Sequence, residues 1–244
     1  MTQELEIKTA DGTAKAWFHR PEGGGTFPGV LFVMDAVGMR ASVRAMSERL
    51  SKLGFAVLAP NLFYRSGDFP PFDPKNVFAD PKERERLGTI VKQLTPDAGM
   101  RDFAAYFDTL EAQPGVKAGG LGAVGYCMGG RLCFSASAAM PQRLKAVMSF
   151  HGGGLVSDDD TSPHLGAPKI KAKLYFGIPV DDRSFTPEQH GKLAAALATA
   201  KVGHTMELYP GAMHGFAVDD MPVYNRDASE LHWRRIDSFF KENL

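Results

Sequence analysis

The chain has 244 residues, of which 44% are hydrophobic, 23% charged and 10% aromatic. These are ordinary values for a globular protein, and they exclude a disordered, collagen-like or coiled-coil chain. Lysine plus arginine number 28, as do aspartate plus glutamate, so the formal charge is zero and the basic excess of a nucleic-acid-binding protein is missing.

The lack of targeting signals and the small number of cysteines indicate the expected compartment. The N-terminal segment lacks the apolar core of a signal peptide, and no apolar run approaches the roughly 18 residues of a membrane span. The two cysteines, Cys127 and Cys133, are too few to crosslink a chain of this length, and their spacing matches no zinc motif. We therefore expect a cytoplasmic protein with reduced cysteines that binds neither membrane nor nucleic acid.

The first half of the chain alternates strand-like and helical segments. Two segments joined by Asp11-Gly12 predict an antiparallel hairpin. Continuous apolar runs predict strands buried on both faces, and apolar residues at helical spacing predict helices. The predicted elements are strands over 4–9, 14–19 and 29–34, a helix over 39–53, a strand over 55–59, an exposed helix face over 82–86 and a helix over 96–112. Residues 61–80 form a loop rich in proline and aromatic residues, and such long loops are often lids or binding loops.

The second half continues the same alternation. Its predicted elements are strands over 120–126, 146–150, 172–176 and 206–209, with helices from 128, over 187–199 and over 224–240. Alternating strands and helices predict one α/β domain over 1–244, built on a mostly parallel, doubly wound sheet that is flanked by helices. The hairpin is expected at the edge of this sheet as its antiparallel part.

The segment around Cys127 matches the cysteine form of a nucleophile elbow. Residues 125–129 read G-x-C-x-G between a predicted strand and a predicted helix. A nucleophile on so sharp a turn needs small residues two positions away on each side, and Gly125 and Gly129 meet this need. The turn places the sulfur at a helix N-terminus, which favours the thiolate, and it aims the Met128 N–H at the site as an oxyanion donor.

A thiol with a pKa of about 8.5 needs a base, which should follow an acidic residue downstream. A predicted strand ends just before Asp181 and Asp182; either carboxylate could orient the base, and Asp182 is preferred. His214 follows the last predicted strand in a glycine-flanked loop, which makes it the candidate base. Other histidines are expected at the surface or partly packed: His19, His164, His190, His204 and His232.

Three further features have other interpretations. Residues 120–125 match G-x-G-x-x-G, but their glycines fill a strand rather than open a helix, so they do not predict a dinucleotide site. Residues 151–154 spell the HGGG motif of lipases; because they follow the nucleophile, we expect them at a strand tip near the site and outside the oxyanion hole. Cys133 is expected to pack inside a helix, a second redox cysteine being the alternative.

These segments together resemble the dienelactone hydrolases (carboxymethylenebutenolidases) of the α/β-hydrolase superfamily. The resemblance runs from GVLFVMDAVGM through FAVLAPNLFYR and GYCMGG to YPGAMHGF, nearly the whole chain. It implies an α/β-hydrolase fold and a Cys127–His214–Asp182 triad that cleaves an ester or lactone through a thioester. It also implies a small-molecule substrate and no metal or organic cofactor. We expect a monomer or a homodimer.

The resemblance extends to positions outside the triad. Asp35 stands where the family has an acidic residue that interacts with the resting thiol, and the Ala36 N–H is implied as the second oxyanion donor. Members that cleave dienelactone carry an arginine four residues after the histidine, where this chain has Val218. An apolar side chain cannot replace a bidentate guanidinium, so a substrate other than dienelactone is expected. Arg84 or Arg86 is a candidate for a second family arginine.

Two other functions fit the sequence. A broad-specificity esterase or thioesterase would have an apolar pocket, walled by the rings of the 61–80 loop: Phe63, Tyr64, Phe69 and Phe72. A non-catalytic small-molecule binder on the same scaffold is the less favoured hypothesis, because all three triad residue types occur in the expected order.

Overall fold

The computed structural model describes residues 1–244. Its strands are β1 (Thr2–Thr9), β2 (Gly12–His19), β3 (Phe27–Val33), β4 (Ala56–Pro60), β5 (Val116–Tyr126), β6 (Leu144–Phe150), β7 (Lys173–Asp181) and β8 (His204–Met213). Its helices are α1 (Ala41–Lys52), α2 (Pro81–Lys92), α3 (Pro96–Glu111), α4 (Met128–Ala139), α5 (Pro187–Thr199) and α6 (Arg226–Asn243). All eight strands join one sheet in the order β1-β2-β4-β3-β5-β6-β7-β8.

The pairing of the strands confirms the predicted fold class. β1 and β2 form an antiparallel hairpin in which Thr9 lies opposite Gly12, and β2 pairs antiparallel with β4. Every other pair is parallel. The result is a mostly parallel α/β sheet flanked by helices, with the hairpin at one edge.

Several strands are longer than predicted, β7 and β8 among them. β7 continues to Asp181 and β8 to Met213, because the two strands pair along their whole length with a bulge between Pro179 and Asp181. Pro210 and Gly211, which indicate a turn in the sequence, lie inside β8. β8 is the edge strand, where proline is tolerated because one side of the backbone has no neighbouring strand.

The expectation that His19 and His232 are surface or partly packed residues is wrong. Both are buried, at 1% and 0% exposure. Each ring is accommodated because it has polar partners: His19 bonds Thr2 and Ser47, whereas His232 bonds Tyr126 and the Ser229 carbonyl. Burial lowers the pKa of both rings, so each is a neutral part of the core.

The topology gathers the candidate site at the carboxyl ends of the parallel strands. Parallel strands present their carboxyl ends on the same side, where ligands of open α/β sheets bind. The residues that follow β3, β5, β6, β7 and β8 are, respectively, Met34–Asp35, Cys127, His151, Asp182 and His214.

Candidate active site

The turn at Cys127 is a strained elbow between β5 and α4. Cys127 has φ 54° and ψ −117°, a conformation that L-residues rarely adopt. A Cβ atom on Gly125 would lie 2.2 Å from the Gly129 carbonyl oxygen, and one on Gly129 would lie 2.4 Å from the Met34 oxygen. Both positions therefore admit only glycine, and the two glycines allow the backbone to make this sharp turn.

His214 and Asp182 form a hydrogen-bonded pair beside this turn. His214 Nδ1 lies 2.8 Å from Asp182 Oδ2, and because a carboxylate only accepts, Nδ1 carries the proton. Nε2 is thereby left for the thiol. The Asp182 side chain is 1% exposed, whereas Asp181 is exposed and does not contact His214. Of the two aspartates that the sequence offers, the structure thus brings Asp182 to the histidine.

The charges around His214 favour its protonated form. Burial lowers the pKa of His214, but Asp182 and the Cys127 sulfur act against it, and the net effect raises the pKa to about 10. Burial by itself would raise the pKa of Asp182. The hydrogen bonds from His214 and Ser184 outweigh this effect, so the pKa of Asp182 lies below its ordinary value.

The backbone N–H groups of Met128 and Ala36 belong to residues next to the cavity. Met128 is the first residue of α4, where an N–H has no acceptor within the helix. Ala36 follows β3 and lines the same cavity as Cys127. That these two groups act as oxyanion donors stays a prediction from the sequence.

Asp35 contacts an arginine that the sequence analysis did not single out. Arg40 Nη1 and Nη2 each lie 2.8 Å from one oxygen of the Asp35 carboxylate, which also accepts the Val37 N–H. The same guanidinium reaches Asp220, with Nε 2.7 Å from Oδ2. Both Asp35 oxygens are therefore bonded to Arg40, and the hydrogen bonds of the carboxylate do not include the Cys127 thiol.

A cavity of about 490 Å³ opens over Cys127, His151 and His214. Most of the remaining lining is apolar and comes from three segments: Ala36 and Val37; Pro74, Phe78 and Ala79; Met221, Pro222 and Val223. Lys75 lines the mouth and, apart from His214, is its one cationic side chain. No group of three His, Cys, Asp or Glu side chains is arranged to hold a metal ion.

The 61–80 loop walls this cavity, but not through the four rings expected from the sequence. Phe63, Phe69 and Phe72 pack against one another, with ring centroids 6.5 and 5.8 Å apart. Tyr64 bonds the buried Asp102. The residues of the loop that reach the cavity are Pro74, Lys75, Phe78 and Ala79.

No arginine lines the cavity. Val218, at the position of the family's carboxylate-binding arginine, is 1% exposed and packs in the core. The Arg86 guanidinium lies 3.9 Å from the Phe72 ring centroid and bonds Glu83, while Arg84 is exposed outside the cavity.

The HGGG segment begins at the tip of β6, near the site as expected. His151 is 1% exposed, and its ring centroid lies 5.2 Å from that of His214. Burial holds the pKa of His151 well below its ordinary value, so the ring is neutral. Its two nitrogens have no hydrogen-bond partner in the chain.

Two polar residues that bond the candidate catalytic side chains were missed by sequence reasoning: Arg40 and Ser184. Ser184 bonds both Asp182 and His214, and its only sequence signal is the Asp-x-Ser spacing typical of a turn in which the aspartate caps a backbone N–H. Arg40 carries no signal, because its second partner lies 180 residues away.

Comparison with known proteins shows the family of the chain. The sequence profile of the dienelactone hydrolase family matches residues 15–244. The chain belongs to the dienelactone hydrolase family. It is accordingly a hydrolase that acts on ester or lactone bonds.

Relatives with the provisional name carboxymethylenebutenolidase support the assignment along most of the chain. The protein from Synechocystis sp. is 28% identical over 90% of this chain and 88% of its own length. The protein from Escherichia coli K12 is also 28% identical, over 93% of this chain and 82% of its own.

Solved structures share the fold. A provisionally named dienelactone hydrolase from Klebsiella pneumoniae is 22% identical and superposes with a TM-score of 0.85, over 99% of this chain and 98% of its own. The dienelactone hydrolase-like promiscuous phosphotriesterase P91, from metagenomic libraries, is 24% identical with a TM-score of 0.81, over 100% and 98%. In this chain, no helix has both the length and the apolar character needed to cross a bilayer.

Proposed function

We propose that this family member hydrolyses uncharged esters or lactones with Cys127 as nucleophile, His214 as proton carrier and Asp182 as the acid that orients it. Ala36 and Met128 supply the oxyanion donors. The observation that carries the proposal is the strained backbone of Cys127, which holds the residue in one cavity with the Asp182-bonded His214. Such strain persists only where the surrounding structure enforces it, and it is typical of catalytic residues.

The first step transfers the acyl group to sulfur. The Cys127 thiolate attacks the carbonyl carbon, and the negative charge that develops on oxygen is stabilised by the N–H groups of Ala36 and Met128. When the tetrahedral intermediate collapses, the C–O bond to the alcohol breaks. His214 gives its Nε2 proton to the departing oxygen, which leaves a thioester and a neutral imidazole.

The second step depends on the loss of the negative charge on sulfur in the first step. A thioester sulfur carries no charge, so one of the groups that raise the pKa of His214 is gone and the ring can serve as a base. His214 takes a proton from water, and the hydroxide attacks the thioester carbonyl. Cleavage of the C–S bond releases the acid and restores the thiolate–imidazolium pair.

The cavity lining favours substrates without a carboxylate. Val218 is buried, and no arginine takes its place among the lining residues. The Asp35 charge is balanced by Arg40, while Phe78, Met221 and Val223 offer an apolar wall. An ester with an apolar acyl or alcohol group gains free energy from burial against this wall, whereas a carboxylate there would lose hydration without a bidentate partner.

Kinetics with p-nitrophenyl acetate and dienelactone test both parts of the proposal. Cys127→Ala should lower kcat by at least ~10³, as nucleophile replacements do. The buried Cys133→Ala serves as matched control and should retain activity. The wild type should prefer the acetate, and mass spectrometry should find the acyl group on Cys127. Full activity of Cys127→Ala would overturn the assignment of Cys127 as nucleophile. A preference for dienelactone would overturn the assignment of uncharged esters or lactones as substrates.

A further inference from the structure

Ser184 contacts both partners of the His214–Asp182 pair. Its hydroxyl lies 2.6 Å from Asp182 Oδ1 and 2.9 Å from His214 Nδ1. Its backbone N–H donates to the same Asp182 oxygen at 2.8 Å. The remaining Asp182 oxygen, Oδ2, is the one that accepts from His214.

We propose that Ser184 is a positioning residue of the triad, whose hydroxyl shares the Nδ1–H of His214 with Asp182 and fixes the ring with Nε2 directed at Cys127. The inference rests on the proposed function, because it assigns Ser184 a role through His214. Neither the family assignment nor the triad itself requires a hydroxyl at this position.

Hydrogen-bond chemistry leaves one consistent arrangement for this trio. The ionised Asp182 only accepts, so the Ser184 O–H donates to Oδ1 and its lone pairs remain for the Nδ1–H of His214. Asp182 is then held at both oxygens and cannot rotate about its carboxylate axis without losing a bond. A flipped imidazole would present a carbon to both acceptors, so the hydroxyl adds to the cost of the wrong orientation.

The position of Ser184 explains why a side chain is needed there. Ser184 is exposed and the His214 side chain is 31% exposed, whereas the Asp182 side chain is 1% exposed, so the bond between Ser184 and His214 lies on the solvent side of the trio. Without it, water competes for Asp182 Oδ1 and His214 Nδ1 and holds neither in a fixed direction.

Two glycines of the HGGG segment contact Ser184. A Cβ atom on Gly153 would lie 2.9 Å from the Ser184 hydroxyl oxygen, closer than side chains normally approach. The Gly154 N–H donates to the Ser184 carbonyl at 3.4 Å. Gly153 therefore leaves the room in which the hydroxyl reaches the triad, which gives this part of the motif a function other than an oxyanion hole.

Three serine variants and one spectroscopic signal test the proposal. With p-nitrophenyl acetate, Ser184→Ala should lower kcat about three- to tenfold, the effect of losing one hydrogen bond, with KM unchanged. Ser184→Thr keeps the hydroxyl and should stay within about twofold of wild type. Ser162→Ala is the matched control, because Ser162 also bonds a histidine Nδ1, that of His164, at 2.7 Å but outside the site; it should leave kcat unchanged.

The proton on His214 Nδ1 gives a readout that does not depend on turnover. Its downfield NMR resonance should exchange faster with water in Ser184→Ala than in wild type, and Gly153→Ala, which presses on the hydroxyl, should have the same effect. An unchanged resonance and kcat in Ser184→Ala would overturn the role of Ser184. If Cys127→Ala kept full activity while the resonance still responded to Ser184→Ala, the hydrogen bond would stand and the proposed function would fall.

Discussion

The elbow at Cys127 and the interior of α4 at Cys133 present the same thiol in opposite settings. The two residues are six positions apart, yet Cys127 has a positive φ and lines the cavity with His214, whereas Cys133 is 0% exposed inside an ordinary helix. Burial raises the pKa of the Cys133 thiol, which keeps it neutral. The comparison teaches that the backbone turn and the neighbouring groups set the environment of a thiol, and the proposed reactivity of Cys127 rests on this difference.

Alkylation of the native protein should show the largest difference between these sites. Iodoacetamide should modify Cys127 about a thousandfold or more faster than Cys133, because Cys133 reacts only when the core opens and global opening costs at least about 5 kcal/mol. Peptide mapping by mass spectrometry gives both rates in one sample. In denaturant the two rates should converge, and comparable rates in the folded protein would contradict the distinction.

Adding a methyl group at the elbow should lower the free energy of unfolding far more than adding one in a helix. Gly125→Ala forces a Cβ against the Gly129 carbonyl and should cost about 3 kcal/mol of unfolding free energy or more, together with activity. The matched control is Gly88→Ala in α2, where a Cβ meets nothing within 4 Å; it should stabilise the fold by about 0.5–1 kcal/mol. Urea denaturation measures both. A Gly125→Ala protein with wild-type stability would refute the strained elbow.

Titration of His214 by NMR should respond to Cys127 and not to Cys133. The wild-type pKa is expected at about 10; Asp182→Asn and Cys127→Ala should each lower it, and Cys133→Ala should leave it in place. Because this pKa lies above the ordinary value of 6.5, protonated His214 stabilises the fold fully below pH 6.5, and the contribution disappears as the pH rises through about 10. An Asp182→Asn protein whose stability keeps the wild-type pH dependence over this range would contradict the assignment.

Local patterns were sufficient to predict the fold class and the elbow. The G-x-C-x-G spacing and the glycine-flanked His214 reflect constraints within a few residues of each group, and such constraints are visible in sequence. The choice between Asp181 and Asp182 was not visible, because one residue of register decides it and that register depends on a bulge between β7 and β8.

Contacts between distant segments account for the other differences. Ser184 and Arg40 join the site through side-chain geometry that no spacing encodes. The composition of the 61–80 loop likewise predicts a binding wall without showing which rings face it. Phe63 and Phe72 turn inward and are buried, whereas Phe78 is 48% exposed and lines the cavity.

Arg40 has a consequence for how this protein can change over evolution. One guanidinium, its side chain 9% exposed, contacts Asp35 in the loop after β3 and Asp220 in the loop that follows His214. Replacing Arg40 alone would leave two carboxylates facing each other without a cation, and replacing either aspartate alone would leave the guanidinium half-satisfied. Substitutions at these three positions are therefore epistatic, and a lineage that reshapes one wall of the cavity is constrained to adjust the other with it.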